Sequence, residues 1–165
     1  MLTGAGLDAA SATALITTLI FPFALANGLG RPIFGTLTDK LTPRNTALVT
    51  YVLILIACLL IYTNYTSQFA YTLGFILLWG CLGGWLAIAP ASTGCYFGTR
   101  DYPRCYGVVF LAYGAGAIAG PQLAGFIKTS TGSYLGVFPY VLILAIIGLV
   151  IAFAMMKQPA SPEKA

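Results

Sequence analysis

Long apolar stretches separated by short polar turns run along the whole chain. A helix needs about 20 predominantly apolar residues to cross the hydrocarbon layer of a membrane. The pattern therefore predicts an all-α, polytopic membrane protein with five transmembrane helices, at about residues 10–38, 46–62, 68–97, 106–127 and 134–156. This divides the chain into an external amino-terminal segment at 1–9, a helix bundle at 10–157 and a cytoplasmic tail at 158–165.

The composition also indicates an integral membrane protein. Of the 165 residues, 59% are hydrophobic and 7% are charged, whereas soluble domains have about 25% charged residues. The net charge of +4 comes mainly from the turns and forms no basic patch of the kind that binds nucleic acid. There is no histidine, which excludes His-ligated zinc and Ser-His-Asp catalysis within this chain. The four cysteines form no Cys-x-x-Cys pair, and we expect no metal, no cofactor and no enzyme activity.

Lysine and arginine are distributed unequally between alternate turns. One predicted side of the membrane carries only Lys128, and the other carries Lys40, Arg44, Arg100, Arg104, Lys157 and Lys164. Positive residues favour the cytoplasmic side of a membrane protein. We therefore expect a multi-pass protein of the cell (inner or plasma) membrane with an external amino terminus and a cytoplasmic carboxyl terminus.

The five predicted helices differ in polarity. The second and fifth are almost purely aliphatic, and we expect them to face lipid. The first, third and fourth contain glycine, proline and polar residues, which favour helix contacts in the bundle interior. Gly30-Arg31-Pro32 in the first helix has a partial counterpart at Gly120-Pro121 in the fourth. Such a recurrence three helices later is typical of transporters built from three-helix repeats.

Arg31 lies within the first predicted helix. An arginine in hydrocarbon costs between about 2.5 and more than 10 kcal/mol, so it usually faces a protein interior or a water-filled cavity. It precedes Asp39 by eight residues, which places it about 12 Å inside the helix end. A guanidinium matches a carboxylate in shape and charge, so we predict that Arg31 binds an anionic substrate, with Asn27 one turn earlier to orient it. A buried structural ion pair is the alternative, although the four acids lie in turns or tails: Asp8, Asp39, Asp101 and Glu163.

A charged turn follows this helix. Gly35, Asp39, Lys40 and Arg44 form the pattern Gly-x-Leu-x-Asp-Lys-Leu-x-x-Arg. The carboxylate lies at a helix end, where the amide groups at the amino terminus of a neighbouring helix favour negative charge. We interpret these four residues as a conformational latch; a solvated turn that only fixes topology is the alternative.

This turn resembles the loop signature of the major facilitator superfamily, in the copy between the eighth and ninth helices. Three other stretches are similar to the oxalate/formate antiporter branch and its monocarboxylate-transporter relatives: Leu25-Ala26-Asn27-Gly28-Leu29-Gly30-Arg31-Pro32, Ala89-Pro90-Ala91 and Tyr106-Gly107-Val108-Val109-Phe110. The resemblance covers residues 7–156. It implies that the five helices correspond to helices eight to twelve, with the amino-terminal helix bundle missing from these 165 residues. Thr42 and Pro43 depart from the signature, which has glycine and a basic residue there.

The resemblance implies a secondary transporter that moves small organic anions by alternating access in the lipid bilayer, with the arginine of the Arg-Pro pair on the substrate carboxylate. From their positions along the helices, Phe110 and Tyr113 are expected at a depth close to that of Arg31, and Trp85 somewhat further in. They form either an aromatic wall of the site or plain helix packing. Oxalate exchangers carry a second cation in the fourth of these helices, and residues 106–127 contain none, which favours a monocarboxylate such as formate, lactate or pyruvate.

Two other functions stay open at this point. A drug or cation antiporter of the same superfamily is disfavoured because no carboxylate lies within a predicted helix. A non-transporting or truncated membrane protein is the second alternative, because five helices lack a partner bundle.

Overall fold

The computed structural model describes residues 9–156. The predicted external segment and cytoplasmic tail therefore lie outside the described residues, except for Ala9. Within the described part the chain is 94% helical and has no strands. The elements are α1 (Ala9–Leu41), α2 (Pro43–Thr63), α3 (Gln68–Thr131), a short 3₁₀ helix (Tyr134–Gly136) and α4 (Val137–Met155).

Four helices of the described region are long and apolar enough to cross a membrane. The longest, α3, has 64 residues and contains one non-helical residue, Gly98, with φ 70° and ψ 177°. Glycine adopts this conformation without the steric cost that a β-carbon would add. Gly98 divides α3 into a first arm (68–97) and a second arm (99–131). We expected a turn between residues 97 and 106. Except for Gly98 these residues are helical, and the charged residues among them form the start of the second arm.

Helix α1 packs closely against the first arm of α3. Asn27 donates a hydrogen bond to the Trp79 carbonyl at 3.3 Å, and a β-carbon at Gly35 would come 3.9 Å from that of Ala87. Contacts further along α1 are made further along α3, so the two helices run parallel. At Gly30 a β-carbon would collide with the Gly80 carbonyl, which shows that the backbones touch. Small residues allow this approach in membrane helices.

Helix α2 lies between the other elements and is the most buried of them. It contributes to one core cluster with Phe34, Cys81 and Ile88 through its partly buried residues Leu53 and Ile54. Cys58 and Ile61 form a second cluster with Phe138 of α4. The expectation that this helix faces lipid is therefore not met. Its alanine and threonine positions, rather than its overall hydropathy, show which face is buried.

The second arm of α3 packs sparsely on the rest of the described chain. Only Ile127 of this arm is buried. A β-carbon at Gly116 or Gly120 would meet nothing within 4 Å. We expected this helix in the interior because of its small residues, but within the described residues most of its surface has no neighbour. Its glycines therefore face open space.

The contact between α1 and α3 gives a matched pair of substitutions. Gly30→Ala adds a β-carbon against the Gly80 carbonyl, so the helices must separate, and we expect a loss of about 1–3 kcal/mol in the free energy of unfolding. Gly28→Ala, on the open side of the same helix, meets no atom within 4 Å and gains helix propensity. Reversible unfolding in detergent would compare the two; equal stabilities would contradict the packing of α1 on α3.

Candidate functional site

Arg31 projects from α1 and has no partner among the residues that the structure describes. Its side chain is exposed. It makes no hydrogen bond or ion pair within residues 9–156. Asp39 and Asp101, the acids of this region, are both exposed and lie toward helix ends. A cation in the hydrocarbon of a membrane requires a counter-charge or water, and the described residues supply no counter-charge to this guanidinium.

Asn27 lies one turn before Arg31. We predicted that its side chain orients the substrate; in the structure its side-chain amide contacts the backbone of α3. Its amide nitrogen donates to the Trp79 carbonyl at 3.3 Å, and its own carbonyl lies where a β-carbon of Gly83 would stand. These contacts fix α1 against the first arm of α3. In this conformation Asn27 positions the helix that carries Arg31, and its amide is directed to the α3 backbone.

Trp85, Phe110 and Tyr113 come together around one cavity of about 240 Å³ between the two arms of α3. The first arm contributes Trp85, and the second arm contributes the other two. Four further residues complete the lining: Leu86, Ala89, Tyr106 and Val109. The three aromatic residues singled out in the sequence therefore line one cavity, Trp85 from one side and Phe110 and Tyr113 from the other.

The contacts between α1 and the first arm of α3 give the depth of Arg31 relative to the cavity. Asn27, Arg31 and Gly35 are spaced by four residues and lie along one side of the helix. Asn27 contacts Gly83, and Gly35 faces Ala87. Leu86 lies between those two contact points on α3 and lines the cavity. Along the two parallel helices, Arg31 therefore lies at about the depth of Leu86 and of the cavity.

The aromatic side chains of the lining belong to a longer row of ring contacts along the second arm. Tyr102 stacks on Tyr106 with ring centroids 5.4 Å apart, Tyr106 lies 5.8 Å from Phe110, and Phe110 lies 5.4 Å from Tyr113. Aromatic side chains at four- and three-residue spacing lie on one helix face. Our reading of the sequence missed Tyr102 and Tyr106, although this spacing was visible in it. Trp85 is held from the other side by an edge-on contact with Tyr51 at 5.2 Å.

The structure separates the residues of the predicted latch. Asp39 and Lys40 are exposed, whereas Gly35 and Arg44 are half-buried. Arg44 donates from Nη2 to the Phe153 carbonyl at 2.8 Å, and its guanidinium carbon lies 4.8 Å from the centre of the Phe153 ring. Arg44 therefore fastens the start of α2 to the last turns of α4, where a helix favours positive charge.

Thr42, which joins α1 to α2, has an unusual backbone conformation. Its φ is 97°, a region that a β-branched residue rarely occupies, and its hydroxyl is buried without a hydrogen-bond partner. Strain of this kind costs about 1–3 kcal/mol. The loop signature has glycine at this position, and the structure shows the physical reason: the connection requires a positive φ.

Comparison with protein families assigns the chain. The family model described as Major Facilitator Superfamily matches residues 2–165. The chain belongs to the major facilitator superfamily. Members of this superfamily are membrane transporters and not enzymes, which agrees with the apolar helices described above. Comparisons with curated proteins and with solved structures found no match.

The Arg44 contact can be tested with a control on the same turn. Arg44→Met removes a charged hydrogen bond and a cation–π contact with Phe153, and we expect a loss of about 1.5–3 kcal/mol in unfolding free energy. Lys40→Met removes an exposed charge and is expected to change stability by less than about 0.5 kcal/mol. Denaturation in detergent measures both, and an Arg44→Met protein as stable as Lys40→Met would refute the anchoring role.

Proposed function

We propose that this transporter carries small organic carboxylates by alternating access, and that Arg31 binds the substrate carboxylate. The observation that carries the proposal is the exposed guanidinium of Arg31, which lies in an apolar helix and is unpaired within the described residues. A charge within hydrocarbon is unfavourable unless it pairs with an opposite charge or faces water or the protein interior. A carboxylate supplies the missing negative charge and two acceptor oxygens.

The charges of the described helices favour an anion over a cation as substrate. A drug or proton-coupled cation carrier needs a carboxylate within the membrane to attract the cation or carry the proton. In the part of the chain that the structure describes, the acids are Asp39 and Asp101, both exposed and near helix ends. The fixed charge at the depth of the cavity is instead the positive charge of Arg31.

The proposed mechanism needs a second helix bundle. In major facilitator carriers the substrate lies near the bilayer midplane between two halves related by an axis along the membrane normal. We propose that this chain forms helices eight to twelve of such a carrier, crossing the cell membrane five times with its carboxyl terminus in the cytoplasm. The break of α3 at Gly98 supports five crossings, because each arm is about 45 Å long and only one such length fits a membrane.

A missing amino-terminal bundle would cover the open face of the second arm and of α1. Large exposed residues of α1 include Phe21, Leu25, Leu29 and Ile33. Rocking of the two bundles against each other would then expose Arg31 to each side of the membrane in turn. Charge pairing with the substrate would allow the cation to remain in the water-poor interior during this motion.

We further propose that Asp39 is the mobile part of the latch. Arg44 is already bound to α4, whereas Asp39 and Lys40 are exposed. A carboxylate in this position is free to meet the amino terminus of a helix in only one of the two states of the carrier. Thr42 weakens the turn through its strained backbone.

Arg31→Gln tests the assignment of the substrate site. The amide keeps the approximate length of the side chain but has no positive charge, so we expect carboxylate uptake into proteoliposomes to fall at least about 100-fold, as for loss of a charged contact of about 3 kcal/mol. Lys128→Gln removes a charge near Tyr134, away from the cavity, and serves as the control. Full uptake by a normally expressed Arg31→Gln protein would refute the proposal.

Asp39→Asn tests the latch separately from binding. The substitution removes the charge that would favour one state, so we expect the inward–outward equilibrium to shift while substrate affinity within each state stays the same. Labelling of single cysteines placed at the two faces of the membrane measures this equilibrium. Identical labelling rates before and after the substitution would show that Asp39 is a solvated charge of the turn.

A further inference from the structure

We propose that the cavity between the two arms of α3 binds the apolar tail of the carboxylate, so that the substrates are monocarboxylates with an aryl or branched alkyl tail. This inference rests on the proposed role of Arg31 and adds to it the chemistry of the other end of the ligand. It differs from the expectation of formate, lactate or pyruvate, whose tails are small or polar.

The lining of the cavity has no charged side chain. Its polar groups are the indole of Trp85 and the hydroxyls of Tyr106 and Tyr113; Leu86, Ala89, Val109 and Phe110 complete it. A second carboxylate in this space would lose its hydration without gaining a cation, which is strongly unfavourable. An apolar tail gains from the same removal of water.

The volume of the cavity sets the size of the tail. An enclosed apolar cavity of about 150 Å³ holds benzene. The cavity between the arms is open on one side, where Phe110 and Tyr113 are 48% and 45% exposed, and its volume is about 240 Å³. A phenyl ring with a short linker fits within it. A methyl group would leave most of the space unfilled, so acetate gains little from the contacts of the wall.

The arrangement of the rings also favours an aromatic tail. Phe110 and Tyr113 stack with centroids 5.4 Å apart on the second arm, and Tyr51 supports Trp85 opposite them. A ligand ring between these walls makes the offset and edge-on contacts that aromatic pairs prefer. In the proposed binding mode the carboxylate meets Arg31, which lies along α1 between the positions that contact Gly83 and Ala87 of the first arm.

The test uses Trp85 as a reporter in the protein in lipid nanodiscs. Trp79→Phe removes the other of the two tryptophans while keeping the backbone carbonyl that Asn27 contacts. Titration with phenylacetate, acetate and malonate is followed by Trp85 emission and, independently, by calorimetry. We expect phenylacetate to bind at least about tenfold more tightly than acetate, and malonate to bind most weakly.

A pair of neighbouring substitutions locates the tail. Val109 lines the cavity, so Val109→Phe fills it, and we expect the affinity for phenylacetate to fall to that for acetate. Val108 is 67% exposed and is not in the lining, so Val108→Phe should leave the preference intact. Both changes add the same ring to adjacent positions of one helix, which controls for general effects on folding.

The outcomes separate the inference from the proposed function. Equal binding of acetate and phenylacetate, both lost in Arg31→Gln, would overturn the apolar-tail inference and leave the carboxylate site intact. Tight binding of phenylacetate that persists in Arg31→Gln would overturn the proposed function. A preference for phenylacetate that depends on Arg31 and disappears only in Val109→Phe would establish both.

Discussion

The close approach of α1 to the first arm of α3 is the constraint on which the candidate site depends. Gly30, Gly83 and Gly84 lack the β-carbon that would force the two backbones apart. Phe34 then lies over Gly84 and is buried in the core. This contact fixes the depth and rotation of α1, and therefore the depth of Arg31 relative to the cavity in α3.

The physical problem that remains is a cation within an apolar helix. Helix packing gives the side chain of Asn27 a hydrogen bond to the Trp79 carbonyl. It gives the guanidinium of Arg44 a hydrogen bond to the Phe153 carbonyl at the end of α4. Arg31 receives no such partner within residues 9–156. In a membrane this arrangement is stable only if water, a partner bundle or an anionic ligand reaches the guanidinium. The sparse packing of the second arm is consistent with the same proposal, because an open face at membrane depth is where a second bundle would dock.

Hydropathy alone predicted an all-helical chain, and the described region has four helices that are long and apolar enough to cross a membrane. The bounds of α1, of α2 and of the last apolar helix, Tyr134–Met155, differ from the expected ones by at most three residues. The predicted third helix, 68–97, ends directly before the break of α3 at Gly98. The prediction missed that helix resumes at residue 99, because the charged residues 100–104 are typical of a turn. Thr42 departs from the family signature, which has glycine at this position. Its φ of 97° is a conformation that favours glycine, so the substitution strains the backbone.

The candidate site was predictable in its residue types but not in its partners. Arg31 stood out because of the cost of its charge, and the aromatic positions because of their depth. The pairing of Asn27 with Trp79 and of Arg44 with Phe153 depends on how distant helices meet, which local periodicity does not encode. The lipid-facing expectation for α2 was not met for the same reason: overall hydropathy does not distinguish lipid from an apolar helix neighbour.

The most direct test of the account is a distance between Arg31 and the bound substrate. Solid-state NMR can measure the dipolar coupling between a ¹³C-labelled carboxylate and ¹⁵N-labelled guanidinium groups in the membrane-embedded protein. The account predicts a carbon–nitrogen distance of about 4 Å or less, as in a bidentate arginine–carboxylate pair, and loss of this coupling in Arg31→Lys. Bound carboxylate with no coupling to arginine, or with coupling that persists in Arg31→Lys, would contradict it.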